Sequence, residues 1–110
     1  MVSPSAGSVV LVTFPFSDLS ASKLRPAIVL AKAETDDWIL CQVTSNPYAD
    51  PKAVQIREGD FESGSLRRIS FARLGKLFTA NTSIMHSEVA HLSPVCFGKV
   101  RDAVMSIISQ

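Results

Sequence analysis

Most of the chain carries its apolar residues in short alternating or continuous runs, a pattern that is typical of β-strands. These runs are rich in Val, Ile and aromatic residues, which favour extended backbone. They predict strands at 7–16, 26–31, 38–43, 53–57 and 65–79, the last as one or two strands. The intervening polar and Pro-containing segments predict loops at 17–23 and 46–52.

The apolar pattern changes to a helical period near the end of the chain. Ser93 is a good N-cap residue, and Pro94 suits the first helical position. The apolar stripe that follows consists of Cys96, Val100, Ala103, Val104 and Ile107. We therefore predict a closing amphipathic helix, with a shorter helix at 83–89 and a helical turn around Phe61 within 59–64.

Several short strands followed by one helix predict a mainly β protein, built as a small, strongly bent barrel with helical decoration. The 110 residues suffice for a single domain over 1–110, with 1–6 as a loose lead-in. A barrel of this size leaves faces on which a dimer is easily formed. Core candidates from the last strand region are Ile69, Phe71, Leu74, Leu77 and Phe78.

Composition narrows the class of protein. Hydrophobic residues make up 46% and charged residues 19%, which argues against a disordered chain. No apolar run approaches the roughly 20 residues of a membrane-spanning helix, and the first residues lack a secretory signal, so we expect a cytoplasmic protein. The two cysteines and two histidines lack metal-ligand spacing. We accordingly expect no structural disulfide and no zinc site.

The net charge of +1 does not by itself indicate a nucleic-acid partner. Its distribution along the chain is uneven, however. Basic residues cluster in two stretches, comprising Lys23, Arg25, Arg67, Arg68, Arg73 and Lys76. A local basic groove on a nearly neutral protein is compatible with this pattern, but from charge alone a solvated surface of mixed sign is the simpler interpretation.

The runs 26–31 and 38–43 flank a polar turn and predict a β-hairpin. A turn centred between them places Pro26 opposite Thr44, and Arg25 opposite Ser45. Facing Cα atoms in such a pair lie about 4.5–5.5 Å apart, so Arg25 and Thr44 become near neighbours. A fixed guanidinium beside a hydroxyl suits a phosphodiester, because it can hold the phosphate and stabilise developing charge.

Four sequence blocks give the chain a wider resemblance. They lie at 7–18, 25–30, 42–45 and 73–79, and the last is followed by His-Leu-Ser-Pro at 91–94 and the closing helix. In this order and spacing the chain resembles the MazF/PemK (Kid) family, the toxins of bacterial type II toxin–antitoxin systems. The resemblance covers almost the whole chain.

The resemblance implies an SH3-like barrel of the MazF/CcdB type and a homodimer. It also implies a metal-independent endoribonuclease, an mRNA interferase without a cofactor, whose groove is covered by a cognate antitoxin. In the family the equivalents of Arg25 and Thr44 are the catalytic pair. The chain departs from many relatives at Leu24, where a basic residue is common, and at Gly75, where an acid that takes part in some members' chemistry is common.

The chemistry expected of this pair needs no protein nucleophile. The 2′-hydroxyl of the RNA attacks the adjacent phosphate, Arg25 neutralises phosphate charge, and Thr44 positions the reacting groups. The products are a 2′,3′-cyclic phosphate and a 5′-hydroxyl, and DNA is not cut because it lacks the attacking group.

Single-stranded RNA is expected to lie between the two predicted loops. Phe16 or Tyr48 is a candidate for stacking on a base, and Lys23, Arg73 and Lys76 are candidates for holding phosphates. The remaining candidates for substrate binding are Asp18, Ser45 and Asn46. We interpret His86 and His91 as structural or interfacial rather than catalytic.

Two alternatives remain open at this stage. One is a non-catalytic barrel that binds a protein, as CcdB-like gyrase inhibitors do. The other is an inactive relative that retains RNA or antitoxin binding. Gly75, which stands in the place of the common acid, favours this interpretation. The pair of Arg25 and Thr44 favours the enzyme over the gyrase inhibitor.

Overall fold

The structure is a computed structural model that describes residues 2–15, 22–47 and 50–110. Most of these residues lie in β-strands. Its strands are β1 (Ser8–Pro15), β2 (Ser22–Lys32), β3 (Asp37–Thr44), β4 (Val54–Ile56), β5 (Phe61–Gly64), β6 (Ser70–Asn81) and β7 (Met85–Leu92). One helix, α1 (Pro94–Ile108), closes the chain, and 3-10 turns precede β5 and β7. No helix within these ranges has the length and apolar character needed to cross a membrane.

The strands of the described residues form one antiparallel sheet in the order β4-β6-β3-β2-β1-β7-β5. The sheet curls into a half-barrel, and with the C-terminal helix this confirms the predicted mainly β architecture. Both faces of the sheet carry buried residues, because neighbouring residues point to opposite faces. Thus Ile28 packs in one core cluster and Val29 in the other.

Helix α1 covers the first of these clusters. Ser93 caps the helix, since its hydroxyl accepts a hydrogen bond from the Cys96 amide at 3.2 Å, and Pro94 occupies the first turn. Cys96, Val100 and Val104 are buried against the sheet, as the apolar stripe predicted. The helix packs mainly on β6, β4 and β7.

The hairpin of β2 and β3 is confirmed, but its predicted register is wrong by one residue at the open end. Lys32 pairs with Trp38 as the turn requires, yet Ala27 pairs with Gln42 because the register shifts between Val29 and Ala31. A β-bulge of this kind inserts one extra residue into one strand. Continuing the ladder past Ala27 places Arg25, rather than Pro26, opposite Thr44.

Both minor helix predictions are wrong. Residues 85–92 form β7, which pairs with β1 on one side and β5 on the other, and this lateral pairing overrides the local pattern. The helical turn lies at Glu58–Asp60, where the Asp60 carboxylate accepts from the Arg57 amide at 2.8 Å. Phe61 begins β5 instead of centring the turn.

The region 65–79 contains one strand rather than two, because β6 begins only at Ser70. Arg67 adopts a left-handed backbone (φ 62°), which turns the chain before that strand. Ile69, which precedes β6, is 51% exposed, and Leu77 within it is 36% exposed, so both are wrong as core candidates, whereas Leu74 is buried. Phe71 and Phe78 are partly buried.

Candidate functional site

Arg25 and Thr44 reach the same cleft from adjacent strands. Arg25 lies on β2 and pairs with Val12 of β1, while Thr44 is the last residue of β3 and pairs with Phe71 of β6. Both line a cleft of about 250 Å³ at the open end of the hairpin. The structure therefore brings together the two residues that the sequence singled out, and each is half-buried rather than enclosed.

The cleft combines apolar walls with basic and hydroxyl-bearing groups. Its polar lining consists of Lys23, Arg25, Thr44, Ser45, Arg68 and Ser70. Its apolar lining consists of Leu11, Leu24, Pro26, Val43 and Leu66. None of the described residues that line the cleft is acidic, and its three cations create a local positive potential on a chain whose net charge is only +1.

The hydroxyl of Thr44 is held by the chain that leaves β3. The Asn46 amide donates a hydrogen bond to Thr44 Oγ1 at 3.1 Å, and the hydroxyl donates to the Asn46 carbonyl at 3.2 Å. Such local hydroxyl–backbone bonds are typical of turns that follow a strand. They fix the position of the oxygen in a partly solvated site.

Two other predicted residues, Arg73 and Lys76, do not line this cleft. They lie in a second depression of about 340 Å³, together with Asp50, Lys52, Gly75 and Ile107. Arg73 Nε donates to Asp50 Oδ2 at 3.2 Å. The predictions for Phe16, Asp18 and Tyr48 fall outside the described residues.

Arg68 and Ser70 are cleft residues that the sequence did not identify as part of the site. Arg68 is far from Arg25 along the chain, and only the left-handed turn at Arg67 and the start of β6 carry it to the cleft. The sole signal in the sequence was its place in a short basic stretch. Pairing of distant strands, which local pattern does not encode, supplies the rest.

Both histidines make structural contacts, in agreement with their interpretation. His86 Nε2 lies 2.7 Å from Thr13 Oγ1 and so links β7 to β1. His91 Nδ1 lies 3.0 Å from the Leu92 carbonyl and 3.6 Å from the Glu62 carboxylate. Neither residue lines the cleft of Arg25 and Thr44.

The two cysteines are free, buried thiols. Burial raises the pKa of Cys41 to about 12, and the negative charge of Asp50 adds to the effect. Burial also raises the pKa of Cys96, with a smaller contribution from Asp60. Because the thiolate is the reactive form, neither cysteine is suited to act as a nucleophile near neutral pH.

Potential metal ligands are scattered over the fold. Among residues 2–15, 22–47 and 50–110, no group of three or more His, Cys, Asp or Glu side chains is placed to hold a metal ion. The chemistry that the cleft itself offers is that of fixed cations and hydroxyl groups.

Solved structures of similar fold include several toxins. A MazE–MazF complex from Deinococcus radiodurans superposes with a TM-score of 0.75 at 22% identity, covering 97% of this chain and 96% of that one. An endoribonuclease bound to its cognate antitoxin, from a Mycobacterial species, gives 0.72 at 15% identity with 97% and 96% coverage. The Mycobacterium tuberculosis toxin MazF-mt6 gives 0.70 at 11% identity with 93% and 96% coverage.

Comparison of the sequence itself gives a more specific result. No curated protein is significantly similar to the chain. The profile of one family, described as the PemK-like, MazF-like toxin of type II toxin–antitoxin systems, matches residues 5–108. The match spans every element from β1 to α1. The chain therefore belongs to the PemK-like, MazF-like toxin family of type II toxin–antitoxin systems.

Proposed function

We propose that the chain is a toxin endoribonuclease that cuts single-stranded RNA at specific sequences without a metal ion. The observation that carries this proposal is the cleft in which Arg25 and Thr44 meet, with Lys23 and Arg68 also among its described lining residues. Fixed cations in a half-buried cleft attract a polyanion and stabilise charge that develops on a phosphate. Two of the structurally similar proteins are also named as an endoribonuclease and as a MazF toxin.

The reaction we propose uses the substrate's own nucleophile. The 2′-oxygen of the RNA forms a bond to the adjacent phosphorus and loses its proton to solvent. The bond from phosphorus to the 5′-oxygen breaks, and that oxygen takes up a proton. The products are a 2′,3′-cyclic phosphate and a free 5′-hydroxyl, so atoms and charge balance without a cofactor.

Arg25 acts on the phosphate in this scheme. A guanidinium offers two parallel donors to phosphate oxygens and keeps its charge at any physiological pH. It therefore stabilises the extra negative charge of the pentacovalent transition state. Lys23 and Arg68, in the same cleft, hold the flanking phosphates.

Thr44 positions the reacting groups. Its oxygen is already fixed by Asn46, so it presents a hydrogen-bonding site at a defined place without first losing side-chain freedom. A threonine hydroxyl is too weak a base to remove the 2′-proton by itself. Because its one hydrogen is donated to the Asn46 carbonyl, the Thr44 oxygen acts as an acceptor, and its contribution is to accept a hydrogen bond from the 2′-hydroxyl and align it for in-line attack.

The surroundings of the pair supply substrate recognition. Ser45 lines the cleft and Asn46 follows it in the sequence. Phe16 and Asp18 lie outside the described residues and are candidates from the sequence alone. Polar groups of this kind form hydrogen bonds with the edges of unstacked bases, and an aromatic ring stacks on the face of a base. We propose that they select the cleavage sequence.

The cellular setting follows from the family. The structures similar to this chain include a toxin bound to MazE and an endoribonuclease bound to its cognate antitoxin. We infer that this chain is a cytoplasmic homodimer and that a cognate antitoxin blocks its basic cleft. An acidic segment is the chemistry that complements three clustered cations.

The direct test is incubation of the purified chain with a long unstructured RNA in excess chelator, with DNA of the same sequence in parallel. We expect the wild-type chain to cut the RNA and not the DNA, and the Arg25→Ala variant to lose cleavage of the RNA. Arg101→Ala is the matched control, because Arg101 lies on α1 and pairs with Asp102. Cutting that requires an added metal ion would overturn the metal-free reaction, and RNA binding without any cutting would identify a non-catalytic relative.

A further inference from the structure

The connection between β3 and β4 crosses over β6. In the sheet β6 lies between β3 and β4, with Thr44 opposite Phe71 and Val54 opposite Ala72. The connection between these two strands therefore starts on one side of β6 and ends on the other. It begins with Ser45 and Asn46, the residues that adjoin and hold the hydroxyl of Thr44.

Asp50 is the anchor of this connection. Its amide donates to the Pro47 carbonyl at 2.9 Å, and its own carbonyl accepts from the Ala53 amide at 3.3 Å. Its carboxylate accepts from the Lys52 amide at 3.1 Å through Oδ1 and from Arg73 Nε at 3.2 Å through Oδ2. The Asp50 side chain is 15% exposed and the Arg73 side chain 32%, so this ion pair is partly shielded from water.

Arg73 in turn belongs to the strand that pairs with β3. It lies opposite Gln42, two positions before Thr44, and its carbonyl accepts from the Cys41 thiol at 3.1 Å. The Arg73–Asp50 pair thus fastens the crossing connection to the same stretch of sheet that carries Thr44. Thr44 ends β3, and Asn46 begins the connection that contains Asp50. The ion pair therefore links this connection to β6, the neighbour of β3 in the sheet.

We propose that Arg73 is a positioning residue, which acts through Asp50 to hold the Asn46 turn against Thr44, and is not a contact for an RNA phosphate. This proposal rests on the proposed ribonuclease function for its catalytic consequence. The charge of Arg73 is neutralised by Asp50, and Arg73 lines the second depression rather than the cleft of Arg25. A cation already paired in this way adds little to the attraction of a polyanion.

The test compares Arg73→Gln, Asp50→Asn and the double variant with the wild-type chain. Lys52→Gln is the matched control, because Lys52 is an exposed cation of the same depression and contacts Asp50 only through its backbone. We expect each single variant to lower kcat by a similar factor, roughly ten- to a hundredfold, since misplacing a reacting group by about 1 Å costs up to that much. The double variant loses no more than either single one.

A second measurement separates positioning from phosphate binding. It uses an RNA with a single 2′-deoxy nucleotide at the cleavage site, so that binding is measured without cutting. Loss of one phosphate contact reduces the slope of log K against log salt by about 0.7 for a single strand. We expect Arg73→Gln to leave the slope unchanged; a reduction of that size, with Asp50→Asn retaining wild-type kcat, would overturn the proposal.

A third measurement needs no RNA. Hydrogen exchange of the Asn46 amide, which donates to Thr44 Oγ1, reports directly on the turn. We expect faster exchange at Asn46 in Arg73→Gln and in Asp50→Asn, and no change in Lys52→Gln. Unchanged exchange in the first two variants would refute the positioning role. If the wild-type chain cut no RNA, the ribonuclease function would be refuted, and the exchange rate of Asn46 would still show whether the Arg73–Asp50 pair holds the turn.

Discussion

Thr44 and Asn46 are joined by two hydrogen bonds, from the Asn46 amide to Thr44 Oγ1 at 3.1 Å and from the Thr44 hydroxyl to the Asn46 carbonyl at 3.2 Å. The hydroxyl is therefore part of the turn that ends β3, and its position is set before any substrate arrives. Preorganisation of this kind reduces the entropic cost of reaching the transition state.

The first prediction concerns this hydroxyl. Thr44→Ser keeps both hydrogen bonds and is expected to retain most of kcat, whereas Thr44→Val has the same shape without the oxygen and loses roughly a hundredfold or more. Single-turnover cleavage of RNA measures both. Equal activity of the Ser and Val variants would show that the oxygen plays no part in the reaction.

A second prediction separates charge from geometry at Arg25. Arg25→Lys keeps one positive charge but loses the two-pronged donor, so we expect partial activity, and Arg25→Ala is expected to lose about 10²–10³ in kcat. The same cleavage assay ranks the variants, with urea unfolding to verify that each is folded. Equal cutting of RNA by the Ala and Lys variants would show that the charge of Arg25 plays no part in the reaction.

Two glycines give a paired prediction on stability. Gly64 has φ +70°, and a Cβ there would lie 2.2 Å from the Val89 carbonyl oxygen, whereas a Cβ at Gly75 would meet nothing within 4 Å. Gly64→Ala is expected to lower the free energy of unfolding by about 2–4 kcal/mol, and Gly75→Ala to raise it by about 0.5 kcal/mol. Urea denaturation checks both, and comparable effects at the two sites would contradict this picture.

Cys41 predicts a pH dependence of stability. Its folded pKa is raised to about 12 from an ordinary value of 9.0, so the folded state keeps a proton that the unfolded state releases. The stabilisation is fully present below the ordinary value and is lost as the pH rises towards the folded one, by up to about 1.4 kcal/mol per pH unit. In Cys41→Ala this part of the alkaline loss is expected to disappear, which unfolding curves at successive pH values measure; an identical loss in both proteins would count against it.

Local pattern predicted those parts of the fold that local physics determines. The structure confirms the N-cap at Ser93, the apolar stripe of α1 and the turn between β2 and β3. Each of them depends on residues that are close together in sequence. The supposed helix at 83–89 became β7 because two distant strands pair with it. Such pairing depends on the completed sheet, which no window of sequence contains.

The site shows the same division. The hairpin that brings Arg25 and Thr44 together is encoded by residues close in sequence, although the bulge between Val29 and Ala31 changes which residues face each other. Arg68 entered the cleft only through the turn at Arg67, and the bond from Arg73 to Asp50 required the connection to cross β6. These contacts join residues that are distant in sequence, so charge pattern alone did not reveal them.

The most direct measurement is cleavage of an RNA in which only the nucleotide before a mapped cleavage site carries 2′-deoxyribose, in excess chelator. We predict that cutting stops at that site, continues at other sites, and leaves a 2′,3′-cyclic phosphate and a 5′-hydroxyl on the unmodified RNA. Undiminished cutting at the modified nucleotide, or products with a 3′-hydroxyl and a 5′-phosphate, would contradict attack by the 2′-oxygen.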